Sequence, residues 1–259
     1  MVGSMLDLLR AIALGLLQGF TEWLPISSSG HLVIAQRMMD FDVPVAFDVM
    51  LHVGTLIAVI TSFRKDLAKI LKSLICLDVK GEHFRLLLLV MVGSIPTAAI
   101  GLLFLRFFES LFSNMTATGV GFLITAALLF SSETRNGDRP VSWLNSLVMG
   151  LAQAASIAPG ISRSGATISV GLLSGVERWH VFRFSFLLSI PAVAGALLME
   201  YRSLNPMDLG VFSLVGMIVA AVSGYLAIQI VYRMLLSERL HLFAFYCLGA
   251  GLITLLVLR

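Results

Sequence analysis

The stretch PISSSGH, residues 25–31, stands where an apolar helix would be expected to continue. Residues 6–23 before it form an apolar run of nearly membrane-spanning length, with Glu22 close to its end. A proline, three consecutive serines, a glycine and a histidine then interrupt it. Hydroxyls, a carboxylate and an imidazole are expensive inside a bilayer, and where they occur there they mark function by default.

The rest of the chain establishes that a bilayer is the solvent. Of 259 residues 58% are hydrophobic and only 13% charged, against about 25% charged in soluble domains. Mean hydropathy is +0.95. Runs such as LLLLVMVGSIPTAAIGLLFL (86–105) are apolar on every side. That excludes a soluble domain and also a β-barrel, whose strands would alternate polar and apolar residues. The expectation is an all-α polytopic membrane protein forming a single integral membrane domain, 1–259. The opening MVGSMLDLLR carries Asp7 and one basic residue, Arg10. It lacks the basic start and small-residue cleavage site of a signal peptide and is read as retained structure. Cys76 in a charged loop and Cys247 in an apolar run predict neither a disulfide nor a metal site.

Six runs are long enough to cross: about 47–63, 86–105, 117–132, 184–198, 211–232 and 242–258. Four shorter segments remain, pairing as 5–24 with 28–39 and 141–157 with 163–175. Each pair is joined by a polar break containing Gly or Pro. Two half-length helices around a polar break suggest a re-entrant hairpin, since irregular backbone at membrane depth survives only where protein or water satisfies it. The rival reading makes each pair two separate spans. With hairpins, loops 64–85, 133–140, 176–183 and 233–241 share one side, with Arg64, Lys65, Lys69, Lys72, Lys80, Arg85, Arg135, Arg139, Arg178, Arg183, Arg233 and Arg239. The other side holds only Arg10, Arg37, Arg106, Arg202 and Arg259. The positive-inside rule makes the basic side cytoplasmic and places both termini outside. The first hairpin then dips in from outside and the second rises from the cytoplasm.

The chain also repeats itself. Shifted by 135 residues, GLLQGFTEWLPISSSG (15–30) falls on GLAQAASIAPGISRSG (150–165) without a gap. Gly15, Leu16, Gln18, Ile26, Ser27, Ser29 and Gly30 meet identical residues. Further on, Val92, Gly93, Ile95, Ala98, Gly101 and Leu103 match Val215, Gly216, Ile218, Ala221, Gly224 and Leu226. Shared apolar composition would not preserve Gln-x7-Ile-Ser-x-Ser-Gly with its spacing. Each half, 1–132 and 133–259, is one hairpin plus three spans, so the second enters the membrane inverted. The two breaks are expected to face each other near the midplane.

The breaks differ where chemistry would matter. Glu22 is matched by Ile157, Ser28 by Arg163 and His31 by Ala166. The second break, PGISRSGAT (159–167), adds Arg163, hydroxyls from Ser162, Ser164 and Thr167, and the glycine backbone at Gly160. Both breaks end at a helix N-terminus, where free N–H groups and the dipole favour anions. Two such N-termini with an arginine make a phosphate or diphosphate cradle. Ser28 and His31, three apart at a helix start, share a face and suit a nucleophile and its general base. Glu22 could orient His31, hold a proton, or help bind a divalent cation with the diphosphate. Helix capping by Ser27–Ser29, or a purely structural Arg163–Glu22 pair, explains each residue singly but not their conjunction. Asp48 and His52 read equally as supporting groups near the site or as interface polar residues. Glu109, Glu133, His83, His180 and His241 read as loop or surface groups.

At these residues the chain resembles the undecaprenyl-diphosphate phosphatase family, the BacA type linked to bacitracin resistance. QGFTEWLPISSSGH (18–31) looks like its first motif and PGISRSGAT (159–167) like its second, and FDVMLHVGTLIAV (47–59) also has the family look. The resemblance covers essentially the whole chain. It implies hydrolysis of a polyprenyl diphosphate to the monophosphate and inorganic phosphate, which recycles the lipid carrier for cell-wall glycans. It places the family's essential carboxylate on Glu22, its serine on Ser28, its histidine on His31 and its arginine on Arg163. Gln18, Ser27, Ser162, Ser164, Thr167 and Gly160 are expected substrate contacts. Many members carry a glutamate where this chain has Gln18, which weakens a two-carboxylate metal site. A divalent cation, Mg2+ or Ca2+, is implied by the resemblance without assigned protein ligands. The expected partners are the polyprenyl diphosphate and the bilayer, with room for a homodimer and none for nucleic acid. The rival class is a lipid-phosphate transporter or flippase, which would need Arg163 and the helix N-termini but no nucleophile. A structural scaffold would leave the facing breaks unexplained.

Overall fold

The computed structural model describes residues 5–39, 45–135, 137–200 and 210–257, which form twelve helices and no sheet. Arg202 and Arg259, counted above on the less basic side, lie outside the described residues, as does the side chain of Arg37. The order is α1 (Met5–Trp23), α2 (Ser28–Met39), α3 (Val45–Ser62), α4 (Arg64–Ile75), α5 (Glu82–Leu103) and α6 (Leu105–Phe112). The second half runs α7 (Met115–Ser132), α8 (Trp143–Ala155), α9 (Arg163–Leu173), α10 (Arg178–Glu200), α11 (Val211–Leu236) and α12 (His241–Val257). Helices start where short polar side chains can cap them. Asn114 accepts from two backbone N–H groups of α7, Ser142 and Asn145 form a reciprocal capping box on α8, and Ser162 caps α9.

Among the described helices α5, α7, α10 and α11 are long and apolar enough to cross a membrane. The chain is therefore a multi-pass membrane protein. Of the six expected spans these are four; α3 taken together with α4 makes a fifth, and the sixth corresponds to the 17-residue apolar α12. At 1.5 Å per residue α12 is about 25 Å long, the lower end of spanning length. Two segments differ from expectation. The basic "loop" 64–85 contains α4, bent 74° from α3 at Phe63. The run 86–105 ends at Leu103, and the short α6 follows a break at Phe104.

Small residues set the packing, as they do where lipid offers no hydrophobic drive between helices. α1 lies on α11 and α8 on α5, each through a glycine pair. A Cβ on Gly15 would come within 2.7 Å of the Gly216 carbonyl oxygen, and one on Gly150 within 2.1 Å of the Gly93 carbonyl oxygen. α3 also packs on α11, and α7 on α12.

The basic loops gather at one end. Arg183 bonds Asp66 of α4 at 2.7 Å and Glu82 of α5 at 2.8 Å. Arg178 donates to the carbonyl oxygens of Leu235 and Glu133, and Glu133 pairs with His241. The ends of α3, α7 and α11 and the starts of α5, α10 and α12 thus meet on one face. From that face a column of rings runs inward, from Trp179 and Tyr232 through Phe182 to Phe186 and Trp23. Phe186 is eight residues into α10 from Arg178, about 12 Å of helix. Trp23 and the break beside it thus lie about two helical turns inward from that face.

Candidate active site

The first break begins where α1 ends at Trp23. Pro25 and Ile26 turn the chain, and Ser27 takes φ +67°. That is the left-handed region, which costs a residue with a Cβ about 1–2 kcal/mol. The turn brings the first residue of α2 back over the last turn of α1. Ser28 Oγ donates to Glu22 Oε2 at 2.6 Å. Gln18, one turn earlier, donates from Nε2 to the same oxygen at 3.1 Å.

The second break supplies the other carboxylate partner. Arg163, first residue of α9, donates from Nη2 to Glu22 Oε1 at 2.8 Å, across 141 residues of sequence. Its guanidinium lies 4.7 Å over the Trp23 ring, a placement that favours a cation. Its Nη1 is buried with no hydrogen-bond partner among the described residues. Glu22 and Arg163 are 9% and 13% exposed at their side chains, so the pair is shielded yet reachable. The first residues of α2 and α9 both contact Glu22, so the positive ends of two helix dipoles converge there.

The breaks touch directly. A Cβ on Gly30 would come within 3.2 Å of Gly160 Cα. Each break also ties itself the same way. Ser27 Oγ accepts from Gly30 N at 3.4 Å and lies 3.3 Å from Ser29 Oγ. Ser162 Oγ accepts from Gly165 N at 3.1 Å and lies 3.3 Å from Ser164 Oγ. Thr125 of α7 braces the second break, accepting from Ser162 N at 2.9 Å and donating to the Gly160 carbonyl at 3.0 Å.

The expected site residues therefore separate. Glu22, Ser28 and Arg163 come together and are half-buried, with Gln18 buried behind them, while His31, also half-buried, lies three residues further along α2 with partners of its own. Ser162, Ser164 and Thr167 are all but fully buried. Thr167 shares a 2.6 Å hydrogen bond with Ser185 of α10, Ser162 caps α9, and Gly160, at φ +86°, packs against α7. These groups hold the second break in shape. Ser27, 3% exposed, does the same for the first.

The spacing of Ser28 and His31 suggests a direct pair, and the structure departs from it. No hydrogen bond joins them among the described residues. Ser28 turns to Glu22, while His31 Nδ1 lies 2.7 Å from the Ser27 carbonyl and Nε2 lies 2.6 Å from Tyr246 Oη. Trp23, Thr125 and Tyr246 are groups the sequence reading missed. Trp23 adjoins Glu22 and could have been suspected, whereas nothing marks Tyr246 within the apolar α12. His52, left undecided above, is within electrostatic reach of Glu22.

As for Mg2+ or Ca2+, no cluster of three His, Cys, Asp or Glu exists among the described residues. The one carboxylate of the site already accepts from Ser28, Gln18 and Arg163. Hard cations need several oxygen ligands, so these side chains do not form a protein-held metal site.

The family model described as "Bacitracin resistance protein BacA" matches residues 11–253. The chain is 42% identical over 267 residues to the undecaprenyl-diphosphatase of Korarchaeum cryptofilum, covering 98% of this chain and all of the relative. It is 38% identical over 272 residues to that of Methanosphaera stadtmanae, covering 98% and 99%. With that of Halothermothrix orenii it shares 39% over 261 residues, covering 97% and 98%.

Proposed function

The chain belongs to the BacA family, and from that premise we propose that it performs the reaction its relatives are named for. It hydrolyses undecaprenyl diphosphate, or a polyprenyl diphosphate of similar kind, to the monophosphate and inorganic phosphate. This recycles a lipid carrier for cell-wall glycan synthesis and fits a role in bacitracin resistance. The observation that carries the reading is the 2.6 Å hydrogen bond from Ser28 to a carboxylate whose other oxygen is held by Arg163.

The chemistry follows from that geometry. Arg163 keeps Glu22 ionised through Nη2 and offers Nη1 to the terminal phosphoryl group. A guanidinium fork is suited to this double task. Ser28 Oγ attacks the terminal phosphorus as its proton passes to Glu22, and the bond to the bridging oxygen breaks, releasing polyprenyl monophosphate. Water, giving its proton to His31, then attacks the phosphoserine; Ser28 leaves with the proton held by Glu22, and phosphate departs. Positioning and charge neutralisation dominate phosphoryl transfer, and the two helix N-termini add to both.

The membrane is the plasma membrane, the basic face is cytoplasmic and the site opens to the outer side. The gathering of basic loops at one end supports that orientation. The glycine contacts, Gly15 with Gly216 and Gly150 with Gly93, support the inverted repeat: Gly15 matches Gly150 and Gly216 matches Gly93 in the sequence, so each contact is the repeat equivalent of the other. Every group of the site comes from one chain, so a homodimer would not be needed to complete it. The transporter reading gains no support, since each relative named above is called a diphosphatase.

The test is phosphate release from a long-chain polyprenyl diphosphate by the purified protein in detergent. Wild type is run beside Ser28→Ala, Glu22→Gln, His31→Ala and Arg163→Ala, with and without EDTA. Turnover lost in folded variants supports the reading. EDTA sensitivity would mean that a cation arrives with the diphosphate. Wild-type protein that binds the lipid but releases no phosphate would overturn it.

A further inference from the structure

His31 is held on three sides. Its Nδ1 is 2.7 Å from the carbonyl oxygen of Ser27, which can only accept, so Nδ1 carries the hydrogen. In the neutral imidazole Nε2 must then be the acceptor. The group facing it is the Tyr246 hydroxyl of α12, at 2.6 Å, which therefore donates. The two rings lie nearly parallel, 14° apart with centroids 5.6 Å apart, and Phe122 presents its edge to His31 at 5.2 Å. The Ser27 carbonyl also accepts from the His31 backbone N–H at 3.3 Å, as the first acceptor of α2. The only lone pair by which His31 could take a proton is thus covered by a phenol. That phenol belongs to a residue 49% exposed.

We propose that Tyr246 is a further residue of the hydrolytic site, positioning His31 and carrying the proton between His31 Nε2 and the reacting water. The proposal rests on the diphosphatase reading above. As the water attacks, its proton moves to the Tyr246 oxygen while the phenol's own proton moves to Nε2. One proton passes from water to imidazole, and the tyrosine ends unchanged. The 14° stack fixes the ring plane, and the Ser27 carbonyl fixes the tautomer, so the transfer needs no rearrangement of His31.

Tyr246→Phe keeps the ring and removes only the hydroxyl. The expected result is a fall in kcat of about tenfold or more, KM within about twofold, and an unchanged thermal midpoint. A Tyr246→Phe/His31→Ala double variant should be no slower than His31→Ala alone, because both sit on one path. A second readout does not depend on turnover. In protein labelled with 15N-histidine, the signal missing in His31→Ala identifies His31 among the chain's five histidines. Its Nε2 resonance should move in Tyr246→Phe while its Nδ1–H stays. An unmoved Nε2 resonance, an unchanged kcat, or losses that multiply in the double variant would overturn the proposal. Absence of phosphate release by wild type with the Nε2 shift still present would instead strike the diphosphatase reading.

Discussion

Replacing Arg163 by lysine keeps the charge and removes the fork. In the structure Nη2 holds Glu22 at 2.8 Å, Nη1 is buried without a partner among the described residues, and the guanidinium lies 4.7 Å over Trp23. A single ammonium cannot occupy both donor positions. If it stays on Glu22, the phosphate loses one charge-assisted hydrogen bond, worth about 1.5–3 kcal/mol. The weaker ring contact adds about 0.5–1 kcal/mol. The sum of about 2–4 kcal/mol corresponds to a loss of roughly 30- to 1,000-fold in kcat/KM. Lysine is the better probe than alanine, because removing the cation leaves Glu22 buried and unpaired at about 3–5 kcal/mol of stability. The assay is initial-rate phosphate release in detergent over a range of lipid concentrations, with thermal unfolding alongside. An Arg163→Lys protein within about threefold of wild type would refute the reasoning, since it would mean that the fork serves no second ligand.

Gly150→Ala should lower the thermal midpoint by the equivalent of about 1–3 kcal/mol, because its Cβ would sit 2.1 Å from the Gly93 carbonyl. Gly195→Ala, with nothing within 4 Å, should be neutral or gain up to about 1 kcal/mol; equal midpoints for the two would count against the glycine-pair packing. Thr167→Val breaks the buried bond to Ser185 and should cost about 1–3 kcal/mol of stability while leaving KM within about twofold. A large rise in KM without loss of stability would return Thr167 to the substrate surface.

Much of this site is legible in the sequence because the two motifs sit at helix ends, and helix ends are written in local residues. Pro25, Ser27 and Gly30 mark the first break, Pro159, Gly160 and Ser162 the second, and the helices begin at Ser28 and Arg163. The helix α4 was hidden because Arg64, Lys65, Lys69 and Lys72 read as a charged loop, although Leu67 and Ile70 pack against the core. For the same reason α10 starts six residues before the apolar run 184–198, since Arg178 and Arg183, which read as loop charges, are buried in interhelical bonds. Partners were harder than positions. Helical spacing pairs Ser28 with His31, but the left-handed turn at Ser27 returns Ser28 to Glu22. Tyr246 meets His31 across 215 residues, and only packing of α12 on α7 brings it there. Such contacts follow from tertiary structure and leave no periodic trace.

Hydrolysis starts with attack of Ser28, activated by Glu22, on the terminal phosphorus. Rapid acid quench of the protein with a polyprenyl diphosphate labelled in its terminal phosphate tests it most directly. Label is expected on the wild-type protein within the first turnover and none on Ser28→Ala, which also ceases to release phosphate. Labelled phosphate released by Ser28→Ala at a rate near that of wild type, with no label ever on the protein, would contradict it.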